Sequence, residues 1–336
     1  MTTRAARFLP RHWLVLLGGV LLLFPLWAGD RPYLMLLATT TLLSIGYVSS
    51  LRLKLSAYLL DLGHLAWAGM GAYLSAVLMT RLGVPFWANL GLVPVAVGIL
   101  AAATAFPATQ TAALYLALVT MSLGAVVVLF FSYVRRDLFG GIDGLRDIPG
   151  PDALGPVSFF DPVRHRNNET LYFYLGLAIV AALLLLLWRI ERSRLGLTFR
   201  SIREQPTLAE AVGIHLRRER VICFASASAM AAAVGAFSAH YGHVITPDDF
   251  GIAPSFALFV YIVVGGRSHI LGPALGVVLF VVAREQLRSL EQYQPILLGA
   301  ALILFLLLIP DGIAGLTMRL SARIKAWPRR TAPRRS

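Results

Sequence analysis

The sequence predicts an all-α fold, a polytopic transmembrane helical bundle of about ten spans, and three observations carry that expectation. In 336 residues, 57% are hydrophobic and 14% charged, which is more apolar surface than one soluble core can hide. Apolar runs long enough to cross a bilayer, which takes roughly 20 residues each, recur along the whole chain. The thirty Lys and Arg against seventeen Asp and Glu, a formal charge of +13, sit in loops and tails beside those runs. Placed there, the charge orients helices rather than attracting nucleic acid. The lone cysteine, Cys223, lies inside an apolar run and forms no internal disulfide, and no Cys/His cluster has metal-ligand spacing.

Taken in order, spans are expected near 13–29, 33–51, 57–80, 88–106, 112–134, 170–188, 220–241, 251–265, 271–288 and 295–313. The run from Trp13 to Trp27 follows Arg4, Arg7 and Arg11 and precedes Ala28 and Gly29, which is also how a signal peptide looks; the spans behind it favour retention as the first helix. Loop charge tests the count. The arm 1–12 has three Arg and no acid, the loop after span two holds Arg52 and Lys54, the segment 189–219 with Arg220 holds eight Arg against four Glu, and the tail 317–336 is basic without an acid. These share one side, expected to be cytoplasmic, with both termini. The loop 135–169, five Arg against six acids, and the acidic pair Asp248 and Asp249 fall on the other. The domain layout is therefore a cytoplasmic arm, a transmembrane domain 13–316 and a cytoplasmic tail.

Three spans are not plain lipid-facing helices. Span three carries Asp61 and His64 with glycines at 63, 69 and 71, and ionisable groups at membrane depth face a bundle interior or a watery cavity. On a helix, residues three apart share a face, so Asp61 and His64 read as a mutually satisfied pair locking the span; the alternative is a polar patch on a passage. Span eight ends in Gly265-Gly266 and span nine opens on Gly272-Pro273, a pattern of interrupted helices. Gly63, Gly265, Gly266, Gly272 and Pro273 are the candidate breaks. The count also permits two five-span halves of opposite orientation, although no repeat of residue identity is visible.

The polar island from Arg192 to Arg220 splits into a strand of basic anchors and, after Pro206, a short helix TLAEAVGI capped by Gly213. Its Glu210, Ala211 and Gly213, preceded by Arg203-Glu204, resemble the loop with which permeases of ABC importers dock a helix into their ATPase. Further motifs are similar to the branched-chain amino acid (hydrophobic amino acid uptake) permease family, in its LivM-like half. GHLAWAGMGAY (63–73) resembles the family's GHAAFFGIGAY, LYLALVTMSLG (114–124) its LYLAIVTLAFG, and GGIDGLRDIP (140–149) its GGSNGLxxIP. GAFSAHYGHVITPDDF (235–250), VVGGRSHILGPALG (263–276) and IPDGIAGL (309–316) follow in family order. The chain departs from the pattern at Asp61-Leu62-Gly63, where Ser or Asn is usual, and at Thr109 to Ala112, where a basic run is common.

The resemblance implies a type II ABC-importer-like permease in a bacterial inner membrane. It implies a second homologous permease, two cytoplasmic ATPases and a periplasmic substrate-binding protein as partners. The chain itself has no G-x-x-x-x-G-K-[ST] loop, so no cofactor is expected in it; ATP and magnesium belong to the partners. On this reading Arg203, Glu204, Glu210, Ala211 and Gly213 couple to the ATPase. Asp61, His64, Gly69, Tyr115 and Thr120 are candidate pathway residues, and Gly140, Gly141, Asp143 and Gly144 candidate contacts for the binding protein. A branched-chain or other hydrophobic amino acid is the first expectation for the solute, with urea, amides or small organic or aromatic acids next. A proton-coupled carrier using Asp61 and His64, and a membrane enzyme using the same pair, are the rivals from other classes.

Overall fold

The computed structural model of the chain describes residues 11–28, 31–109, 111, 113–153, 158–161, 166–266, 271–290, 292–308, 312 and 315. They form two compact units, 32–259 and the segments 1–31 with 260–336. The fold is an all-α membrane bundle. Among the described residues the exception is a two-residue antiparallel pair, β1 (Phe160–Asp161) with β2 (Arg166–Asn167). The closing motif 309–316 lies almost wholly outside the described residues, as do the basic tail and most of the N-terminal arm.

The larger unit is built from α2 (Pro32–Ser56), α3 (His64–Leu82), α4 (Phe86–Ala108), α5 (Ala113–Tyr133), the short α6 (Arg136–Phe139), α7 (Glu169–Arg192), α8 (Arg194–Glu204), α9 (Pro206–Ala211) and α10 (Leu216–Gly242). Helix α10 is its centre and packs on α4, α3, α2, α7 and α8. Its sequence explains that place. Seven alanines and Gly235 in the stretch from Ala227 to Ala239 leave faces with little side-chain bulk, where neighbouring backbones approach closely. A methyl group at Gly235 would overlap the Ala68 carbonyl of α3, and one at Gly71 would overlap the backbone of Ala232.

The second unit holds α1 (Arg11–Ala28), with Pro25 inside it, together with α12 (Gly272–Gln286) and α13 (Gln294–Leu308). Helix α11 (Ile252–Gly265) ends at Gly265, Gly266 has φ +89°, and Pro273 occupies the first turn of α12, where its missing N–H costs nothing. Backbone meets backbone here too: a methyl at Gly276 would overlap the Tyr261 carbonyl, and one at Gly265 the Gly272 carbonyl.

Six helical stretches among the described residues are long and apolar enough to cross a membrane: α2, α4, α5, α7, α10 and Pro247–Gly265. The other four expected spans correspond to α1, α3, α12 and α13, of which the last two have 15 residues each. At 1.5 Å per residue they reach about 22 Å, short of the roughly 30 Å hydrocarbon thickness, so ten is an approximate count.

Span three corrects its expected start. Residues 57–63 are not helical, because α2 closes in a Schellman turn: Leu59 N–H donates to the Lys54 carbonyl (3.0 Å) and Tyr58 N–H to that of Leu55 (3.3 Å). Tyr58 takes the left-handed position with φ 61°. The chain then turns back into the protein and α3 begins at His64.

Candidate functional site

The structure gathers Asp61, His64, Gly63 and Thr120 around a residue the charge pattern had placed in a loop. Arg52 and Lys54 are not loop charges; they occupy the last turns of α2, and the Lys54 side chain is wholly buried. Its ammonium forms an ion pair with Asp61 Oδ2 and lies 3.7 Å from the centre of the Phe224 ring and 5.6 Å from that of Trp67. Aromatic faces and a carboxylate thus replace the water that the cation has lost. Arg52 pairs with Glu191 near the end of α7.

Asp61 therefore does not share a helical face with His64, as expected for span three, but precedes the helix. Its Oδ1 accepts the Gly63 N–H (3.1 Å), and its Oδ2 receives Lys54 and approaches His64 Nδ1 (3.4 Å). His64 Nε2 lies 2.8 Å from Ser50 Oγ. The Ser50 hydroxyl donates to the Tyr47 carbonyl (2.8 Å), so its oxygen accepts from His64 Nε2, which carries a proton. Asp61, His64 and Lys54 are all 0% exposed, and each oxygen of the carboxylate has a partner.

Helix α5 closes this site from another side. Thr120 Oγ1 accepts the Leu62 N–H and donates to the Ala117 carbonyl, both at 3.1 Å, and Gly63 lies so close that a methyl there would overlap the Thr120 carbonyl. Leu65 N–H donates to Ser255 Oγ at 3.2 Å, which ties the first turn of α3 to α11. Gly69 makes room for the Phe250 ring. Tyr115 does not join them: it lies on the outer side of α5, 63% exposed.

At the other end of α3 and α10, the segment 135–152 is held to the bundle. Gly140, Gly141 and Gly144 all have positive φ, and a methyl on Gly144 would overlap the Ile245 carbonyl, so glycine is required for the backbone to approach. Gly140 and Asp143 are exposed, while Gly141 and Gly144 are buried. Leu145 and Ile245 exchange both backbone hydrogen bonds at 3.0 Å. His240 Nδ1 donates to the Pro149 carbonyl and His243 Nδ1 to that of Ile148, each at 2.7 Å; a carbonyl only accepts, so Nδ1 carries the proton in both. Asp152 accepts the Phe86 N–H at 2.6 Å. On the exposed rim, two hydrogen bonds from the Arg135 guanidinium hold the Asp137 carboxyl below its usual range.

The polar island is helical nearly throughout, including the part expected as a strand of anchors. Gly196, Phe199 and Ile202 line one face of α8 and are buried, which fastens it against the bundle; Arg203 and Glu204 face out. Pro206 opens α9 and only Ala209 of that helix is buried. Ile214 N–H donates to the Ala209 carbonyl (3.0 Å) and Gly213 N–H to that of Glu210 (2.9 Å), with Gly213 at φ +88°, so this end is a Schellman turn like the one at Tyr58. Glu210, Ala211 and Gly213 are exposed, and beside them stand Leu208 at 61% and Val212 at 71%. Arg217 Nε donates to the Phe106 carbonyl and Arg220 to that of Thr109, pinning the start of α10 to the end of α4. No group of three or more potential metal ligands occurs among the described residues.

Lys54 and Arg52 are what sequence reasoning missed. The available signal was Asp61 itself, a carboxylate at membrane depth seven residues after a lysine. Counting Lys54 toward loop charge hid it.

The arrangement has relatives. A sequence profile described as branched-chain amino acid transport system, permease component, matches residues 33–309. The high-affinity branched-chain amino acid transport system permease protein LivM of Escherichia coli K12 is 28% identical over 278 residues, 77% of this chain, and the Salmonella typhimurium LivM is 28% identical over 277. The corresponding LivH protein of E. coli K12 is 29% identical over 181 residues, 52% of this chain and 57% of its own length. This chain spans 64% of the length of either LivM protein. No solved structure matches it. With the profile covering most of the helical region, the chain belongs to the branched-chain amino acid transport permease family and is LivM-like.

Proposed function

We infer that the chain is the permease subunit of an ATP-binding-cassette importer that carries a branched-chain or other hydrophobic amino acid across a bacterial inner membrane. The observation that carries this is the α8–α9 hairpin. It combines a firmly packed base, an exposed tip bearing Glu210, Ala211, Leu208 and Val212, and a glycine-closed end. Apolar side chains on so small a tip suit a groove on a soluble partner. The partner is an ATPase, one of two; closure of the pair would pull on α9 and switch a central path between the two faces of the membrane. A second homologous permease would complete that path. The exposed Gly140 and Asp143 at the opposite pole suit contact with a periplasmic binding protein. ATP and magnesium would be bound by the ATPases.

The amino-acid assignment rests on the branched-chain amino acid transport systems to which the relatives belong and on the site chemistry. The carboxylate at Asp61 departs from the family pattern, but its oxygens are already engaged by Lys54, His64 and Gly63. It answers a buried lysine and leaves the solute class of the family standing. The same closure disfavours a proton relay, which needs a path to water.

The test is uptake of labelled leucine by cells holding the complete transporter with Glu210→Ala or Gly213→Val. A branched residue at φ +88° strains only the cap. Both variants should reach the membrane in normal amount, with ATP-driven uptake reduced at least tenfold. Normal uptake in both would overturn the coupling role.

A further inference from the structure

The exposed stripe of α7 runs through Ala178, Ala181, Leu185 and Trp188 and ends on Arg192, one face of the helix at spacings of three and four. Its last turn is aromatic and then cationic. The Arg192 guanidinium lies 4.3 Å from the centre of the Trp188 ring, and Trp188 is 42% exposed. Arg189 stands beside them, also exposed. Past the extended Ser193, Arg194 and Arg200 are exposed on α8. The carboxylate within this stretch, Glu191, points the other way and pairs with Arg52. No ion pair joins Arg189, Arg194 or Arg200 to a carboxylate among the described residues.

We propose that the α7–α8 elbow binds an anionic phospholipid, with its phosphate held by Arg189, Arg192 and Arg194 and its acyl chains lying along Leu185 and Trp188. The occupant follows from continuity. An apolar exposed stripe passes without a gap into an interfacial tryptophan and then into guanidinium groups, the order of chemistry met along a phospholipid from chain to headgroup. A soluble anion would use the arginines and leave Leu185 and Trp188 bare. A protein partner would call for carboxylates and apolar groups on a surface that begins inside the hydrocarbon.

The test uses the full chain in lipid nanodiscs and quenching of tryptophan fluorescence by brominated acyl chains. The Trp188 component is taken as the difference between the wild type and Trp188→Phe. At equal mole fraction, dibrominated phosphatidylglycerol should quench it more than dibrominated phosphatidylcholine. In Arg189→Gln/Arg194→Gln, which keeps Arg192 over the ring, the relative affinity for the anionic lipid should fall on the order of tenfold, and high salt should lower it in the wild type. Equal quenching by the two lipids, a preference that survives in the double variant, or quenching by neither lipid would each overturn the proposal.

Discussion

Lys54 and Asp61 illustrate how one residue's role depends on what it faces. Removing a single partner from a buried pair leaves an uncompensated charge, which costs about 3–5 kcal/mol, whereas removing both leaves only a packing change. Asp61→Ser and Asp61→Asn should therefore lower the thermal unfolding midpoint of the purified protein markedly, and Lys54→Met combined with Asp61→Asn should restore most of it. The double variant should also keep the wild-type competition profile among leucine, isoleucine and valine in uptake. A changed profile would mean that Asp61 touches solute; additive losses in the double variant would mean that the pair is not coupled. Part of this site was legible in advance. Asp61 and His64 stand out as ionisable groups in an apolar run, and they do meet. Lys54 was hidden because it lies at the end of the preceding run, where lysine ordinarily reports topology; only the turn at Tyr58 brings Asp61 back to it.

Helices α3 and α10 approach backbone to backbone at Gly71 and Gly235, while Trp67 and Phe224 pack edge to face between them. Gly71 abuts the Ala232 backbone, while Gly91 on α4 has open space around it. Gly71→Ala should force the two helices apart and destabilise the protein by at least 1–3 kcal/mol, the usual cost of overfilling a packed core. Gly91→Ala should be neutral or slightly stabilising, since alanine is the better helix former. Chemical unfolding in mixed micelles compares the two, and equal stabilities would refute the close-packing account. At this scale apolar periodicity located α2, α4, α5, α7 and α10 within a few residues of their ends. It failed at α3 because Leu59 and Leu60 extend an apolar run across a turn made by backbone hydrogen bonds. It failed at α8 because arginines on one face masked the buried Phe199 and Ile202 on the other.

For the whole molecule, the positions of the two poles follow from the lengths of the helices that join them. Helix α7 leaves the 140–152 region and has 24 residues, so its ends are about 36 Å apart, more than a hydrocarbon core. Helix α10 returns over 27 residues, and its last turn is back beside Ile148 and Pro149. The α8–α9 hairpin and the glycine-rich loop must then lie on opposite sides of the bilayer. On the proposed reading, in which loop charge sets orientation, the hairpin would be the cytoplasmic one. The chain has a single cysteine, Cys223, which is buried, so a Cys223→Ser background gives a clean label-free protein. In that background, Asp143→Cys should react with a membrane-impermeant maleimide in spheroplasts. Thr207→Cys, exposed on α9, should react only in inverted vesicles. Labelling of both from the same side would break the link between helix length and crossing for α7 and α10, and the reverse assignment would place the hairpin where no ATPase can reach it.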